Sequence, residues 1–351
     1  MNKSKIEWCD HTWNPITGCR HECSYCYAKL TTDRFSGDVR MNKMAKADYT
    51  LCDAADDGNK IYVLDKPMLN EVGKALPYPF GFEPTYYKYR LNMLEKLKMG
   101  NNIFVGAMAD LFGSWVPVSI VNEILEVCLA HPEHNYLFLT KNPNGYTTHP
   151  VPTEGHSNMF YGVSITREAE IIERIGGLPM QGKKFVSIEP LLEDINPQDY
   201  IEYIKCLDWI IIGAETGRRN GKIIPQFQWV KKIIQIADRY GIPVFLKDSL
   251  IDIVGEKNMR REYPNELMKK TISAKMEKRL FEKCLQCKAY LRKKEMITLL
   301  AKSKRGKYPK QFGFMCKECL KKFCKSMDLD MPQLDEFIDS VATTSQDDKN
   351  G

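Results

Sequence analysis

Three cysteines, Cys19, Cys23 and Cys26, fall within eight residues in the pattern C-x3-C-x2-C. Thiolates at this spacing can wrap a cubane iron–sulfur cluster and ligate three of its four irons. The fourth iron then has no protein ligand and can take a small molecule. The alternative from the residues alone is a structural zinc site, with His21, Cys9 or Cys52 completing the set. A second group lies near the other end. Cys284-x2-Cys287 and Cys316-x2-Cys319 are two C-x2-C pairs, the arrangement of a four-thiolate zinc ribbon. A second iron–sulfur cluster that draws in Cys324 is the rival reading there. Cys128 and Cys206 sit in apolar segments and read as core residues.

Between about residues 100 and 250, short apolar runs alternate with helical patterns. The predicted strands are 103–108, 136–139, 160–165, 184–188, 209–213 and 243–246. Each is apolar throughout, as strands buried on both faces of a parallel sheet are. Helical periodicity is clear over Val118–Ala130 and Phe227–Tyr240. Polar residues follow the strands: Asp110, Lys141, Ser164, Glu189, Glu215 with Thr216, and Lys247 with Asp248. In a parallel barrel, those strand ends surround the active site. A partial or full (β/α) barrel is therefore expected, with residues 33–60 as a polar insertion near the site.

The three-cysteine spacing resembles that of the radical S-adenosylmethionine superfamily, which also favours an aromatic residue where Tyr25 stands. The resemblance implies a [4Fe–4S] cluster on Cys19, Cys23 and Cys26. It implies that S-adenosylmethionine binds the open iron, and that a flavodoxin or ferredoxin donates the electron. It narrows further. Residues 6–19 (IEWCDHTWNPITGC), 103–112 (IFVGAMADLF), 138–143 (FLTKNP), 187–192 (SIEPLL), 208–217 (DWIIIGAETG) and 243–247 (PVFLK) resemble, in order, a phage-associated three-cysteine-motif family with no settled reaction. Cys9, Asn142 and Asp248 depart from its usual Thr, Arg and Gln.

On this basis, Tyr25, Met108, Asp110, Ser164, Glu189 and Glu215 are the candidate cofactor-binding residues, with Asp110 as acceptor for the amino group of S-adenosylmethionine. Lys141 and Glu189 are the candidate catalytic residues. Each has a plainer reading: a helix cap for Ser164, a strand exit for Glu189, a turn at Glu215.

The net charge of +6 is unevenly spread. Residues 266–325 carry 19 Lys/Arg and 5 Asp/Glu, a balance of +14, whereas 326–351 carry −6 and 1–265 carry −2. The basic segment, with Tyr308 and Phe312 among its lysines, predicts a polyanionic partner such as nucleic acid. The expected organisation is a barrel domain over 1–265, a basic zinc module over 266–342 and a polar tail over 343–351. No apolar run approaches the roughly 20 residues of a membrane span, and no signal peptide opens the chain, so a cytoplasmic protein is expected. The function expected is radical modification of a nucleic acid or nucleotide. The alternatives are radical chemistry on a peptide or small metabolite, and non-catalytic metal-dependent binding of nucleic acid.

Overall fold

The computed structural model describes residues 4–55, 58–97, 100–149, 151–216 and 222–268, and beyond these four strands within 281–316. The chain divides into two compact units, Met1–Ile272 and Ser273–Gly351.

The first unit is built on a seven-stranded parallel sheet. Its strands are β1 (His11–Trp13), β6 (Asn102–Val105), β7 (Asn135–Thr140), β8 (Met159–Ile165), β9 (Lys183–Ile188), β10 (Trp209–Ile212) and β11 (Val244–Leu246). They lie in that order, so every connection steps to the next neighbour. The uninterrupted apolar runs are the strands, because both faces are covered. Two helices match their predicted bounds, Val118–Ala130 and Phe227–Tyr240. Gly241, at φ +67°, ends the second. The predicted strand over 103–108 is shorter than expected. It ends at Val105, and Gly106, at φ +76°, turns the chain. Met108 therefore lies in a turn and not in the strand.

The sheet curls without closing. In a flat sheet, strands five steps apart are separated by roughly 24 Å. Trp8, just before β1, nevertheless lies 6.2 Å from Trp209 of β10 and 4.8 Å from Phe104 of β6. One core gathers Trp8, Phe104, Leu137, Phe160, Phe185, Trp209 and Phe245, one residue from the N-terminal segment and one from each of the other six strands. Beyond β11, Arg261 forms an antiparallel bridge to Phe245, so β1 and β11 do not pair. This is a partial barrel.

Residues 33–60, expected only as an insertion, contribute to a second sheet. It is ordered β2 (Ile16–Thr17), β5 (Thr85–Tyr87), β4 (Lys60–Leu64), β3 (Thr50–Asp53). It has its own core of Leu64, Met68, Phe80 and Tyr87, with Tyr62 stacked on Phe80 at 3.9 Å.

In the second unit, β12 (Phe281–Lys283) pairs antiparallel with β13 (Tyr290–Arg292), and β14 (Met296–Ala301) with β15 (Lys310–Cys316). Cys316 ends β15. Cys284, Cys287, Cys319 and Cys324, the tail over 343–351 and most of the basic segment lie outside the described residues. No helix among the described residues is long and apolar enough to cross a membrane.

Candidate active site

The three-cysteine loop follows β1 and β2, and its entry is fixed by Gly18. The Gly18 amide donates to the Met108 carbonyl at 2.9 Å, and Gly18 bridges to Ala109 in parallel. Its φ of +85° and its closeness to the chain at 82–83 exclude a side chain: a Cβ there would sit 2.4 Å from the Glu83 carbonyl. The loop is thus pinned to the turn after β6.

Cys19, Cys23 and Cys26 open on one cavity of about 230 Å³. The polar residues expected from the sequence meet them there. Tyr25, Asp110, Lys141, Ser164, Glu189, Glu215, Thr216 and Lys247 all line it, delivered by the loop and by the ends of six different strands. Ile6, Trp8, Phe104, Ala107 and Leu139 supply an apolar wall. Met108 does not line the cavity: its side chain is buried, and its neighbours Ala107 and Ala109 face the space. Asp248 also turns elsewhere, to Arg261.

Asp110 is a hub. Its Oδ2 lies 2.7 Å from His21 Nε2 and accepts from the Lys141 amide at 2.9 Å. Its Oδ1 accepts from the Thr140 hydroxyl at 2.6 Å and the Phe112 amide at 3.1 Å. A carboxylate has about four acceptor positions, so these contacts fill it. Its geometry is that of a group that positions His21, Thr140 and Lys141.

Lys141 is different. Its ammonium donates to the Tyr25 hydroxyl at 2.8 Å and the Ser164 hydroxyl at 3.1 Å, and lies 5.2 Å from the Tyr25 ring centre. Among the described residues it has no ion pair. Burial lowers its pKa below the ordinary lysine value. Lys247, by contrast, is ion-paired with Glu189. Burial alone would lower it, but Glu189, helped by Glu7 and Cys9, holds it above the ordinary value. Glu215 is buried and accepts from the Ile223 amide at 3.2 Å.

The donor set fits a cubane cluster. Three thiols come from one loop, and the other candidate sulfurs are elsewhere: Cys9 is in the core, where its thiol donates to Ser4 Oγ at 3.3 Å, and Cys52 lies in β3. Among the described residues, no three His, Cys, Asp or Glu side chains converge closely enough to hold a single metal ion. Thiols that each take a different iron need not converge. Burial, followed by the Asp110 charge, pushes the Cys19 thiol up to about 12, so without metal it is protonated at neutral pH.

The chain belongs to the DUF5131 family. Its model matches residues 3–284, and its members are described only as proteins of unknown function. No curated protein matches this DUF5131 sequence. Among solved structures, it is similar to spore photoproduct lyase. A cysteine-to-serine mutant has 10% identity and a TM-score of 0.41, over 70% of this chain and 79% of that one. A cysteine-to-alanine mutant holding a dinucleoside spore photoproduct has 12% identity and a TM-score of 0.36, over 68% of this chain and 63% of that one. At such scores the likeness does not extend to individual residues.

Sequence reasoning gave no site role to Trp8, and weighed His21 only as a zinc ligand. His21 carried a usable signal, its place inside the cysteine loop. Trp8 is brought to the site by packing against Phe104 and Trp209, distant in the chain, which no local spacing records.

Proposed function

We propose that this DUF5131 protein is a radical S-adenosylmethionine enzyme that acts on a nucleic acid or nucleotide. One observation carries the reading: the three thiols share a single cavity with polar residues from six successive strand ends. Cys19, Cys23 and Cys26 would hold a [4Fe–4S] cluster. Bound together, the cluster and S-adenosylmethionine supply one-electron cleavage of the sulfonium and a carbon radical that removes a hydrogen atom from a substrate.

The chain's own residues supply position and charge. Lys141, a half-buried cation whose hydrogen bonds go to neutral hydroxyls, is suited to an anionic group such as the carboxylate of S-adenosylmethionine. Tyr25 and Ser164 hold its ammonium in place. Asp110 fixes the loop through His21. Ile6, Trp8, Phe104 and Leu139 keep water from the wall on which a reactive carbon would rest. The preference for a nucleic acid rests on the +14 balance of residues 266–325. Zinc on Cys284, Cys287, Cys316 and Cys319 would order that segment, and an acidic flavodoxin or ferredoxin would supply the electron.

The test is direct. The protein is purified without oxygen, reconstituted with iron and sulfide, reduced with dithionite and given S-adenosylmethionine. 5′-Deoxyadenosine should form, and should vanish in Cys23→Ala. Zinc at these cysteines and no nucleoside product would refute the reading.

A further inference from the structure

The cavity has a second pole, opposite in sheet order to the cysteine loop. Strand register sets it up. Ile188, Ile212 and Leu246 are direct neighbours across β9, β10 and β11. The next residues, Glu189, Gly213 and Lys247, therefore exit at one level. The middle one has no side chain, and the outer two lie across it. A Cβ on Gly213 would sit 3.0 Å from Lys247 Cδ and 3.2 Å from Glu189 Cγ. The Glu189–Lys247 ion pair thus spans β10, with both side chains partly open to the cavity, 26% and 15% exposed respectively. A half-buried ion pair of this kind is weak evidence of a stabilising role.

A second residue shapes this part of the cavity. Trp8 lines it, is only 2% exposed, and its indole N–H is enclosed within the protein. What Trp8 offers an occupant is therefore the apolar part of its ring.

We infer that the Glu189–Lys247 pair, with Trp8, is the substrate-recognition end of the cavity and reads the lactam edge of a nucleobase, an N–H beside a C=O. The carboxylate can only accept and the ammonium can only donate, so side by side they complement one donor next to one acceptor. Uracil, thymine and guanine carry that edge as an N–H beside a C=O, whereas cytosine and adenine place an amino donor beside a ring nitrogen. A trans peptide places its N–H and C=O on opposite sides and cannot present both. Trp8 and Phe104, their rings tilted at 44°, give an apolar wall against which a base taken out of its stack can rest. This inference rests on the proposed function for its choice of a nucleic-acid substrate.

The test needs no turnover. The full chain, reconstituted and holding S-adenosylmethionine but unreduced, is titrated with uridine, 3-methyluridine and N-acetylglutamine, and binding is read by ligand-observed NMR. Uridine should bind at least ten-fold more tightly than 3-methyluridine, in which the donor is blocked. Glu189→Gln and Lys247→Met, with circular dichroism matching the wild type, should each remove that preference. Gly213→Ala should weaken uridine binding while leaving both charges in place. Equal binding of uridine and 3-methyluridine, no binding of uridine, or preferential binding of the glutamine amide would each overturn the inference. Failure of the radical reading is separately visible, as absence of 5′-deoxyadenosine on reduction.

Discussion

His21 and Asp110 join the cysteine loop to the exit of β6, with Nε2 2.7 Å from Oδ2. The contact ties the cysteine loop to the strand-end residues, since the same carboxylate also holds Thr140 and the Lys141 amide. A hydrogen bond to a charged group contributes about 1.5–3 kcal/mol. Asp110→Asn keeps the shape and removes the charge. Iron loss to a chelator should become several-fold faster in Asp110→Asn, and His21→Ala should show a smaller effect in the same direction. Iron per chain after timed chelator exposure decides it; wild-type retention in both variants would show that the contact does not secure the loop.

Gly18→Ala attacks the entry to the same loop. The backbone there has φ +85°, and the added Cβ would lie 2.4 Å from the Glu83 carbonyl. The conformation alone costs a residue with a side chain roughly 1–3 kcal/mol, and the clash adds to it. A lower urea midpoint together with reduced iron uptake is expected. An unchanged midpoint would mean that the chain at 82–83 yields without cost.

Lys141→Met should separate stability from function. The wild type keeps a half-buried ammonium among neutral partners, and burial lowers its pKa. Replacing it by an apolar side chain of similar length removes the cost of desolvating a charge that has no ion pair. The melting temperature should rise while affinity for S-adenosylmethionine, measured by equilibrium dialysis, falls ten-fold or more. A variant that melts lower and binds normally would show the lysine to be structural.

Glu7 carries a pH signature. Burial raises its carboxyl above the usual value, against the lowering effects of the Asp248 amide and Arg261. A carboxyl raised in the folded state binds more protons folded than unfolded. Its contribution is complete below the unfolded value and is lost as pH rises through the folded one. The stability of wild type minus that of Glu7→Gln should therefore decline as pH is raised from about 4. Paired denaturation curves across the acidic range measure it, and a difference independent of pH would contradict the assignment. Arg261, 7% exposed and bonded to Glu7 at 3.0 Å, is the partner that keeps the charged form tolerable at neutral pH.

Much of the fold could be read locally. The apolar runs at 136–139, 160–165 and 184–188 lie within observed strands because a doubly covered strand has no polar face to interrupt its pattern. Helix bounds at Val118 and Tyr240 were legible from periodicity and from Gly241. Residues 33–60 were not. Their strands β3 and β4 are short and half-exposed, and β4 pairs in parallel with β5 about 20 residues away, leaving no strong periodic signal.

The same division runs through the site. Which thiols share a loop and which polar residues leave the strands could be read from the residues alone, because both are matters of spacing along the chain. Only the tertiary structure decided what those residues do to one another: that Asp110 spends its acceptors on His21, Thr140, Phe112 and Lys141, that Met108 turns from the cavity, and that Lys247 reaches Glu189 over Gly213. The reason is physical. Spacing fixes direction within one element, whereas the curl of the sheet, set by Trp8 and the aromatic residues packed around it, fixes which strand ends meet.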